Sequence, residues 1–369
     1  MLETSLKILK KIEKKGFKAY IVGGFVRDFI LGRNSVDVDI ATNATPKEIK
    51  EIFPTCFVPN ELYGSITVVI KNIRFEITTF RRELTYFNNR KPIEIEYIDD
   101  LLEDLKRRDF TINTLCMDIN GSVIDLLDGM KDIKARKIRT VGDSFEKFSE
   151  DSLRILRAIR FATILDFELT DEIKEAILNT KKYLSNISYN RKKDELDKIF
   201  MSNNARYGID LLLDLGLDKE LEIYNLKDIK ISNDLIGVWS SLEVSSKYPF
   251  TKSQKELIDK INNVKNLDNF DKNVLYKYGP YVNKVAALNK GLDDSKVIDI
   301  YNKLPIKVRN DIDITSKEIM EILNLSPGSY INIIYKDLED KILNGKLLNN
   351  NKMIKEYIKS NYRGIYEKR

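Results

Sequence analysis

Two aspartates separated by one residue are the first feature of the sequence that could carry chemistry. Asp37 and Asp39 lie in the segment from Val36 to Ala41, where apolar and acidic residues alternate, and this alternation predicts a β-strand. Alternate side chains leave the same face of a strand, so the two carboxylates are expected about 6.5–7 Å apart on one side. Two oxygen ligands on one rigid face suit a pair of Mg²⁺ ions, and Glu76 on a later predicted strand is the candidate third carboxylate.

The segment just before the aspartates decides how they are interpreted, because an isolated Asp-x-Asp pair is more often a solvated strand face. Residues 22–28, VGGFVRD, predict a strand, a glycine turn and the start of a helix. The backbone amides of Gly23 and Gly24 in such a turn can bind phosphate oxygens, and Arg27 adds positive charge. The segment matches neither a GxGxxG dinucleotide motif nor a Walker A loop. A phosphate-binding turn followed by a carboxylate pair indicates nucleotidyl transfer.

The composition excludes several other kinds of catalysis. The chain has 369 residues, 43% hydrophobic and 32% charged, which is an ordinary balance for a globular protein of roughly two or three domains. Histidine is absent, which excludes imidazole acid–base catalysis, histidine-activated nucleophiles and histidine-ligated zinc. Cys56 and Cys116 lack metal-site spacing and are predicted to be buried thiols of a reducing compartment. The chemistry must therefore use carboxylates, arginine, lysine and a metal.

The C-terminal end is strongly basic. The net charge of the chain is +5, and residues 346–369 contain seven basic and two acidic residues, with three tyrosines between them. Such a segment suits a nucleic-acid phosphate backbone, although a solvated terminal helix explains this feature alone equally well. The candidate RNA contacts are Lys352, Lys355, Lys359 and Arg363.

No part of the sequence predicts a membrane segment. Apolar runs stay well below the ~20 residues that a membrane span needs, and Leu2 to Lys15 contains too many lysines for a secretory signal. The chain is therefore expected to be soluble and cytoplasmic, without a membrane partner.

The first third of the chain alternates predicted strands and helices. The helix over residues 2–15 precedes the strand that leads into the glycine turn. The tetrapeptide Thr45 to Glu48 predicts a helix start with a capping box. Asn120-Gly121 predicts a β-hairpin between strands at 116–119 and 122–126. Further strands are predicted at residues 18–22, 65–70 and 74–79.

Beyond about Lys137 the strand patterns nearly disappear. Apolar residues recur at helical spacing, and a second capping box begins at Thr315. The sequence therefore predicts an α+β protein in which a head with a mixed or antiparallel sheet is followed by a long helical body. The segments with helical spacing are residues 154–165, 205–215, 252–264 and 296–304.

Four spaced motifs resemble those of one family. They are GGFVRD with DVDI, RRDFTIN at 107–113, IRTVGD with SEDSLRILRAIRFA between 138 and 162, and ISYNRKKDELDKIF at 187–200. Together they resemble class II tRNA nucleotidyltransferases and bacterial poly(A) polymerases, members of the polymerase β-like superfamily. The chain departs from the pattern at Asn190, where the family usually has glutamate. The resemblance implies a nucleotidyltransferase head at 1–137, a nucleotide-selecting helical neck at 138–200 and a tRNA-binding helical body and tail at 201–369.

The resemblance assigns base selection to the segment from Glu150 to Arg160. On one continuous helix its two acids and three arginines would share a broad side, and the arginines would repel one another unless an anion joined them. Cytosine and adenine both present an amino donor beside a ring-nitrogen acceptor, which a carboxylate and a guanidinium can read together. Uracil and guanine reverse that order and would leave both groups unpaired. The resemblance makes Asp151 and Arg154 the readers, where a surface ion pair is the alternative, and places Arg157 and Arg160 near the nucleotide.

The second motif contributes two further candidates. Arg108 and Asp109 precede a strand predicted over Thr111 to Met117, and by themselves they are a charged turn. The resemblance implies that Arg108 contacts the nucleotide and that Asp109 binds a ribose hydroxyl.

Other features discriminate among the relatives. Residues 82–92, RELTYFNNRKP, resemble the flexible loop that A-adding and CCA-adding members have and CC-adding members lack. Poly(A) polymerases typically have a basic, aromatic segment where residues 60–65 of this chain contain no lysine or arginine. Full CCA addition is therefore favoured, with A-only addition and poly(A) synthesis as alternatives. An inactive RNA-binding relative would have lost its metal carboxylates, and a small-nucleotide transferase would not need the helical body.

The resulting expectation is template-independent addition of C, C and A to tRNA from CTP and ATP. The 3′-hydroxyl of tRNA would attack the α-phosphate in line and release pyrophosphate. One Mg²⁺ held by Asp37 and Asp39 would lower the pKa of that hydroxyl, and a second would bridge the triphosphate. No histidine base is needed.

Overall fold

The computed structural model describes residues 1–35, 37–60, 64–70, 72–87, 91–268 and 270–366. They belong to two compact units, one comprising Met1–Lys227 with Glu243–Pro249 and the other Asp228–Leu242 with Phe250–Arg369. Within the described ranges, no helix is long and apolar enough to cross a membrane.

A seven-stranded mixed sheet organises the first unit. The strands of this unit are β1 (Ala19–Val22), β2 (Val38–Thr42), β3 (Cys56–Asn60), β4 (Ser65–Ile70), β5 (Ile73–Thr79), β6 (Arg81–Phe87), β7 (Lys91–Tyr97), β8 (Cys116–Met117), β9 (Val123–Ile124), β10 (Lys137–Ile138) and β11 (Glu168–Leu169). The order across the sheet is β3-β4-β5-β2-β1-β8-β9, while β6 pairs with β7 and β10 with β11. Within the seven-stranded sheet, β2 and β5 run parallel and the other neighbours run antiparallel.

Eleven α-helices accompany these strands in the described part of the first unit. They are α1 (Leu2–Glu13), α2 (Gly24–Ile30), α3 (Pro46–Ile52), α4 (Leu101–Lys106), α5 (Gly129–Ala135), α6 (Ser144–Glu150), α7 (Leu153–Leu165), α8 (Asp171–Thr180), α9 (Tyr189–Phe200), α10 (Ala205–Asp214) and α11 (Leu217–Glu220). The predicted capping box is present, because the Thr45 amide donates to Glu48 at 2.7 Å and the Thr45 hydroxyl accepts from the Glu48 amide.

The head follows the sequence prediction with three local corrections. Strand β2 begins at Val38, so Asp37 lies just before the strand and not within it, and Val36 is outside the described residues. The strand predicted over residues 111–117 is wrong, because Thr111–Asn113 forms a 3-10 turn and only Cys116–Met117 pairs as a strand. The hairpin at Asn120-Gly121 is confirmed but is shorter than predicted. Cys116 is buried as predicted, whereas Cys56 on β3 is only half-buried.

Helix α7 packs mainly against α9 and α10. Its apolar residues Ile155, Leu156 and Ile159 are fully buried, as the helical spacing predicted. Helix α10 approaches α7 closely at Gly208, where an added Cβ would overlap Thr163. These contacts hold the arginine-bearing side of α7 in a fixed orientation relative to the first unit's core.

The second unit is helical throughout its described residues. Its α-helices are α12 (Leu235–Ser240), α13 (Lys252–Lys265), α14 (Lys272–Asn289), α15 (Ser295–Asn302), α16 (Ser316–Leu323), α17 (Tyr330–Leu343) and α18 (Asn351–Tyr366). Helix α14 is kinked at Gly279-Pro280, where Gly279 has a non-helical backbone. Thr315 forms the predicted capping box with Glu318. The long helical region predicted after the head is thus confirmed, interrupted among the described residues by two-residue strands.

Candidate active site

One cavity in the first unit collects every candidate that the sequence placed in the head and neck. Its volume is about 1160 Å³, and it lies between the open face of the sheet and the side of α7 that bears the arginines. The predicted residues that line it are Gly23, Gly24, Arg27, Asp37, Asp39, Glu76, Arg108, Asp109, Asp151, Arg154, Arg157 and Arg160.

The carboxylates meet because of the parallel pairing of β2 with β5. In that register Asp39 lies directly beside Glu76, as expected for a carboxylate on a neighbouring strand. Water can reach the Asp39 side chain on the cavity wall, yet its pKa is raised to about 6. Desolvation by the surrounding protein is the largest cause of this rise in pKa, and the negative charge of Glu76 is the second. The positive charge of Arg108 only partly offsets the two effects.

These carboxylates fit a divalent metal. The raised pKa of Asp39 reflects desolvation first and the negative charge of Glu76 second, and a bound cation would stabilise the ionised carboxylate against both. Carboxylate oxygens are also the ligands that hard cations prefer. Among the described residues, however, no three Asp, Glu or Cys side chains converge closely enough to hold a metal ion alone. A bound metal would therefore need oxygen ligands from elsewhere, such as the substrate.

The glycine turn lies against the carboxylates. Gly23 has φ +77°, a conformation that favours glycine, and a Cβ there would be in ordinary van der Waals contact with Arg108 Nη1 at 3.5 Å and Asp39 Oδ2 at 3.8 Å. Its amide donates to the Leu115 carbonyl at 3.1 Å, which corrects the expectation that both glycine amides face a phosphate. The amide of Gly24, in the first turn of α2, is the remaining candidate.

Arg27 is held by neighbours instead of extending into solvent. It is 7% exposed, and its guanidinium donates to Asp28 Oδ1 at 2.8 and 2.9 Å and to Asn113 Oδ1 at 2.6 Å. Asn113 was not among the predicted site residues, although it closes the RRDFTIN motif. It fixes the charge of Arg27 at the cavity wall.

Asp109 is a fully engaged carboxylate. Its Oδ2 accepts two hydrogen bonds from Arg157, and its Oδ1 accepts from the Phe110 amide and from Asn113. These charged and polar donors hold the pKa of Asp109 well below its usual range, although burial opposes them. A ribose hydroxyl could bind Asp109 only by replacing one of these donors. In the structure, Asp109 instead orients the guanidinium of Arg157.

The base-selecting segment is not one helix. Helix α6 ends at Glu150, Asp151 is extended at φ −140° and ψ 100°, and α7 starts at Leu153. The Asp151 carboxylate accepts from the Leu153 amide at 3.1 Å, a local bond that competes with the helical ladder. The prediction that Glu150 and Asp151 share a continuous helix with Arg154 is therefore wrong.

The break also changes the ion pairs of the reader residues. Arg154 binds Glu150 at 2.6 Å, and Asp151 lies 3.3 Å from Arg191 on α9. Arg154 also donates to the carbonyl oxygens of Lys147 and Arg107. Asp151 and Arg154 both reach the cavity, but each is positioned by a partner that the sequence analysis had not assigned to it.

The arginines of α7 do not depend on a bound anion for charge balance. Arg154 pairs with Glu150, Arg157 with Asp109, and Arg160 with Glu195 at 3.0 Å. The expectation that they would repel one another without an anion is therefore wrong. Phe161, also missed, packs against three guanidiniums, and its ring centroid is 4.4 Å from the nearest.

A buried aspartate organises the two arginines of the second motif. Asp104 binds Arg107 at 2.8 Å and Arg108 at 3.3 Å, and it accepts from the Arg81 amide at 3.2 Å. Arg108 Nε is buried and has no hydrogen-bond partner in the part of the chain that is described. Arg108 also lines the cavity, with its Nη1 beside the glycine turn, where the prediction that it contacts nucleotide places it. Nothing in the sequence motif singled out Asp104.

The basic tail forms helix α18 of the second unit. Ile354 and Ile358 are fully buried in that unit's core. Tyr357 and Tyr362 both donate to Asp337, at 2.7 and 2.8 Å, so these tyrosines anchor the helix. Lys355 forms a 2.7 Å ion pair with Glu318. The remaining candidate RNA contacts, which are exposed, are Lys352, Lys359 and Arg363.

Three family profiles match the chain. The Poly A polymerase head domain matches residues 19–139, the RNA and SrmB-binding site of polymerase A matches residues 166–222, and tRNA nucleotidyltransferase domain 2 matches residues 210–358. The first of these profiles contains both the carboxylates and the glycine turn.

Whole-chain comparisons extend further. The chain is 36% identical over 372 residues to the CCA-adding enzyme of Lactococcus lactis subsp. lactis strain IL1403, covering 93% of each protein. It is 36% identical over 392 residues to the CCA-adding enzyme of Ligilactobacillus salivarius strain UCC118, covering 96% of this chain and 95% of that one. Its fold is similar to the crystal structure of the Bacillus stearothermophilus CCA-adding enzyme in complex with CTP, with a TM-score of 0.81, 27% identity and coverage of 100% and 99%.

Proposed function

This chain belongs to the family of CCA-adding enzymes, and from that premise we propose how its residues add C, C and A to the 3′ end of tRNA without a template. The observation that carries the proposal is the meeting of three features in one cavity: the Asp39–Glu76 strand pair, the glycine turn against Asp39 and the arginine side of α7. These are a carboxylate site, a phosphate site and a base-reading site within reach of one nucleoside triphosphate.

Asp37 and Asp39 would hold Mg²⁺ together with oxygens of the triphosphate. Bound there, the metal would neutralise phosphate charge and make the 3′-hydroxyl of tRNA more acidic. Glu76 adds negative charge beside Asp39, which strengthens the attraction of the pair for a cation. No histidine takes part, since the chain has none.

The triphosphate is bound by the glycine turn and the arginines around it. The amide of Gly24 faces phosphate oxygens, and Arg27 supplies a fixed positive charge held by Asp28 and Asn113. Arg108 reaches the same region, since its Nη1 lies close to the space beside Gly23. Asp109 keeps Arg157 aimed at the nucleotide, and Glu195 does the same for Arg160.

Asp151 and Arg154 select the base. The Asp151 carboxylate accepts from the exocyclic amino group of cytosine or adenine, and Arg154 donates to the neighbouring ring nitrogen. Their fixed partners, Arg191 and Glu150, preorganise both readers before the nucleotide arrives. UTP and GTP leave both readers facing the wrong partner.

We place the catalytic head at residues 1–137, the neck at 138–200, and the tRNA-binding body and tail at 201–369. In the tail, Lys352, Lys359 and Arg363 contact RNA phosphates. Because the substrate is tRNA, the reaction belongs to the cytoplasm.

Supplying nucleotides separately to defined tRNAs tests this function. With CTP alone, tRNA lacking CCA should gain two residues, and with ATP alone, tRNA ending in CC should gain one. Growth by ATP only, at tRNA ending in CC, would identify A-only addition. Growth by many adenylates would identify poly(A) synthesis, the second candidate, which the match to the Poly A polymerase head domain keeps open.

A further inference from the structure

The open face of the sheet continues past the catalytic carboxylates to an exposed aromatic at its edge. The strand registers place Asp39 beside Glu76, Glu76 beside Thr67, and Thr67 beside Phe57. One row of side chains therefore crosses four strands, from β2 to β3. With neighbouring strands about 4.8 Å apart, Phe57 stands about 14 Å from Asp39.

This row is the wall of the same cavity. Phe57, Thr67 and Glu76 all line it, and Val69 and Arg74 line it one step along the strands, where they are paired with each other. Phe57 is 68% exposed, which is a large exposed fraction for a phenylalanine side chain. Arg74 is exposed and forms no ion pair with the described residues, in contrast to the arginines of α7.

The sheet surface differs chemically on the two sides of Asp39. Toward β1 and β8 lie the glycine turn, Arg108 and Asn113, which hold charged groups in fixed ion pairs and hydrogen bonds. Toward β3 lies the open row that ends at Phe57. A transferase with two substrates needs a site on each side of its reacting centre, and the nucleoside triphosphate occupies the first side.

We propose that the open row binds the single-stranded 3′ end of the RNA, with Phe57 stacking on a base and Arg74 contacting a backbone phosphate. The inference rests on the proposed function and assigns a place to its second substrate. A stacked strand rises about 3.4 Å per nucleotide, so the ~14 Å from Asp39 to Phe57 accommodates roughly the last four nucleotides. Stacking tolerates any base, as an acceptor end that changes at each addition requires.

The test separates the two substrates kinetically. Phe57→Ala should raise the KM for tRNA lacking CCA about 5- to 100-fold, the range expected for one lost base stack, and leave the KM for CTP within about twofold. Phe57→Trp should keep the wild-type KM for tRNA lacking CCA, because stacking on a base requires only an aromatic ring at this position. Tyr224→Ala is the matched control, because Tyr224 is 70% exposed in the same unit and lies outside the cavity.

Arg74→Ala provides an independent readout. The slope of log KM for tRNA against log salt concentration should fall by about 0.7, as for one lost contact to a single-stranded phosphate. Lys47→Ala, which removes an exposed cation on α3 outside the cavity, should leave that slope unchanged.

The outcomes distinguish this inference from the proposed function. A wild-type enzyme that fails to extend tRNA would overturn both. A wild-type enzyme that extends tRNA, with Phe57→Ala unchanged or with the KM for CTP raised equally, would overturn the inference alone.

Discussion

The role proposed for Asp39 would come at the expense of stability in the metal-free protein. Its pKa is raised to about 6, above the value of about 4 expected in the unfolded chain. The folded metal-free protein therefore binds more protons than the unfolded chain between pH 4 and 6, and its stability falls as the pH rises through that window.

Asp39→Asn should therefore stabilise the metal-free protein at pH 7. The gain should be about 1 kcal/mol, or roughly 2–4 °C in Tm, because water at the cavity wall screens the charge. Thermal unfolding in the presence of a chelator measures it, and the difference from wild type should shrink at pH 4. Nucleotide addition should fall at least about 100-fold. A variant that is destabilised at pH 7 would contradict this electrostatic account.

Asp151 provides the second test at this scale. Asp151→Ala removes the acceptor that we propose for the base amino group, so the preference for CTP over UTP should fall about tenfold or more, as expected for one mismatched group. Single-turnover incorporation of each nucleotide measures the ratio. Glu146→Ala, an exposed acid on α6 outside the cavity, is the control. An unchanged ratio in Asp151→Ala would mean that the base is read elsewhere.

The sequence predicted the cavity-lining residues better than it predicted their partners. Gly23, Asp39 and Arg108 lie in short motifs whose residue types carry their own chemistry. Arg191 and Glu195 were missed because each acts through a contact that exists only after α9 packs near α7. Asp104 was missed although Arg107 and Arg108 follow it by three and four residues, because ion pairs at this spacing usually lie on the solvated face of a helix. The spacing of these three residues is local, but the burial of Asp104 is not visible in it.

At the scale of elements, the break between α6 and α7 could not be predicted from the spacing of the apolar residues. The apolar spacing of residues 154–165 continues smoothly from the preceding helix, so a pattern of one residue in three or four cannot locate the interruption. Two interactions fix it: Asp151 accepts from the Leu153 amide, and Arg191 binds the same carboxylate. The parallel pairing of β2 with β5, by contrast, delivered the carboxylate neighbour that the sequence analysis proposed.

Asp104, on helix α4, joins the start of β6 to the second motif, and it provides the prediction at the scale of elements. Its carboxylate is buried, and Arg107 and Arg108 hold its pKa below the usual value although burial opposes them. Stability from this group is present above about pH 4 and is lost as the pH falls further. Asp104→Asn removes the carboxylate that pairs with Arg108 and leaves Arg107 with Glu83 alone among the described residues, at 3.5 Å, so the protein should lose roughly 3–5 kcal/mol at neutral pH.

Urea unfolding at pH 7 and pH 3.5 measures that loss. The deficit of Asp104→Asn relative to wild type should shrink at the lower pH, where the wild-type carboxylate begins to be protonated. Glu103→Gln alters an acid on the same helix that pairs with Lys106 near the surface, and it should change stability far less than Asp104→Asn. Equal deficits for the two variants would contradict the role assigned to Asp104.

For the molecule as a whole, composition and order of elements were enough to predict a sheet-containing head followed by helices. The absence of histidine excluded whole classes of catalysis before any element was placed. The division of the helical region was not predictable in the same way. Amphipathic helices share one apolar pattern, and the pattern does not state which neighbour buries each face.

Helix α18 shows that the charge of a C-terminal segment does not reveal its structural role. Deleting residues 346–369 would remove Ile354 and Ile358 from the core of the second unit and leave Asp337 without Tyr357 and Tyr362. Loss of tRNA binding after such a deletion would therefore report unfolding as readily as a lost contact.

Point substitutions on the exposed side of α18 avoid that ambiguity. Lys352 and Lys359 are seven residues apart, close to two helical turns, so they share one stripe of the helix. The double variant Lys352→Ala/Lys359→Ala should raise the KM for tRNA and lower its salt slope by about two, one for each lost phosphate contact, with the KM for CTP unchanged. Lys355→Ala is the matched control, because its ammonium pairs with Glu318 and its loss should leave the slope unchanged. If the double variant keeps the wild-type slope while Lys355→Ala lowers it, the stripe is a solvated face and the RNA contact belongs to Lys355.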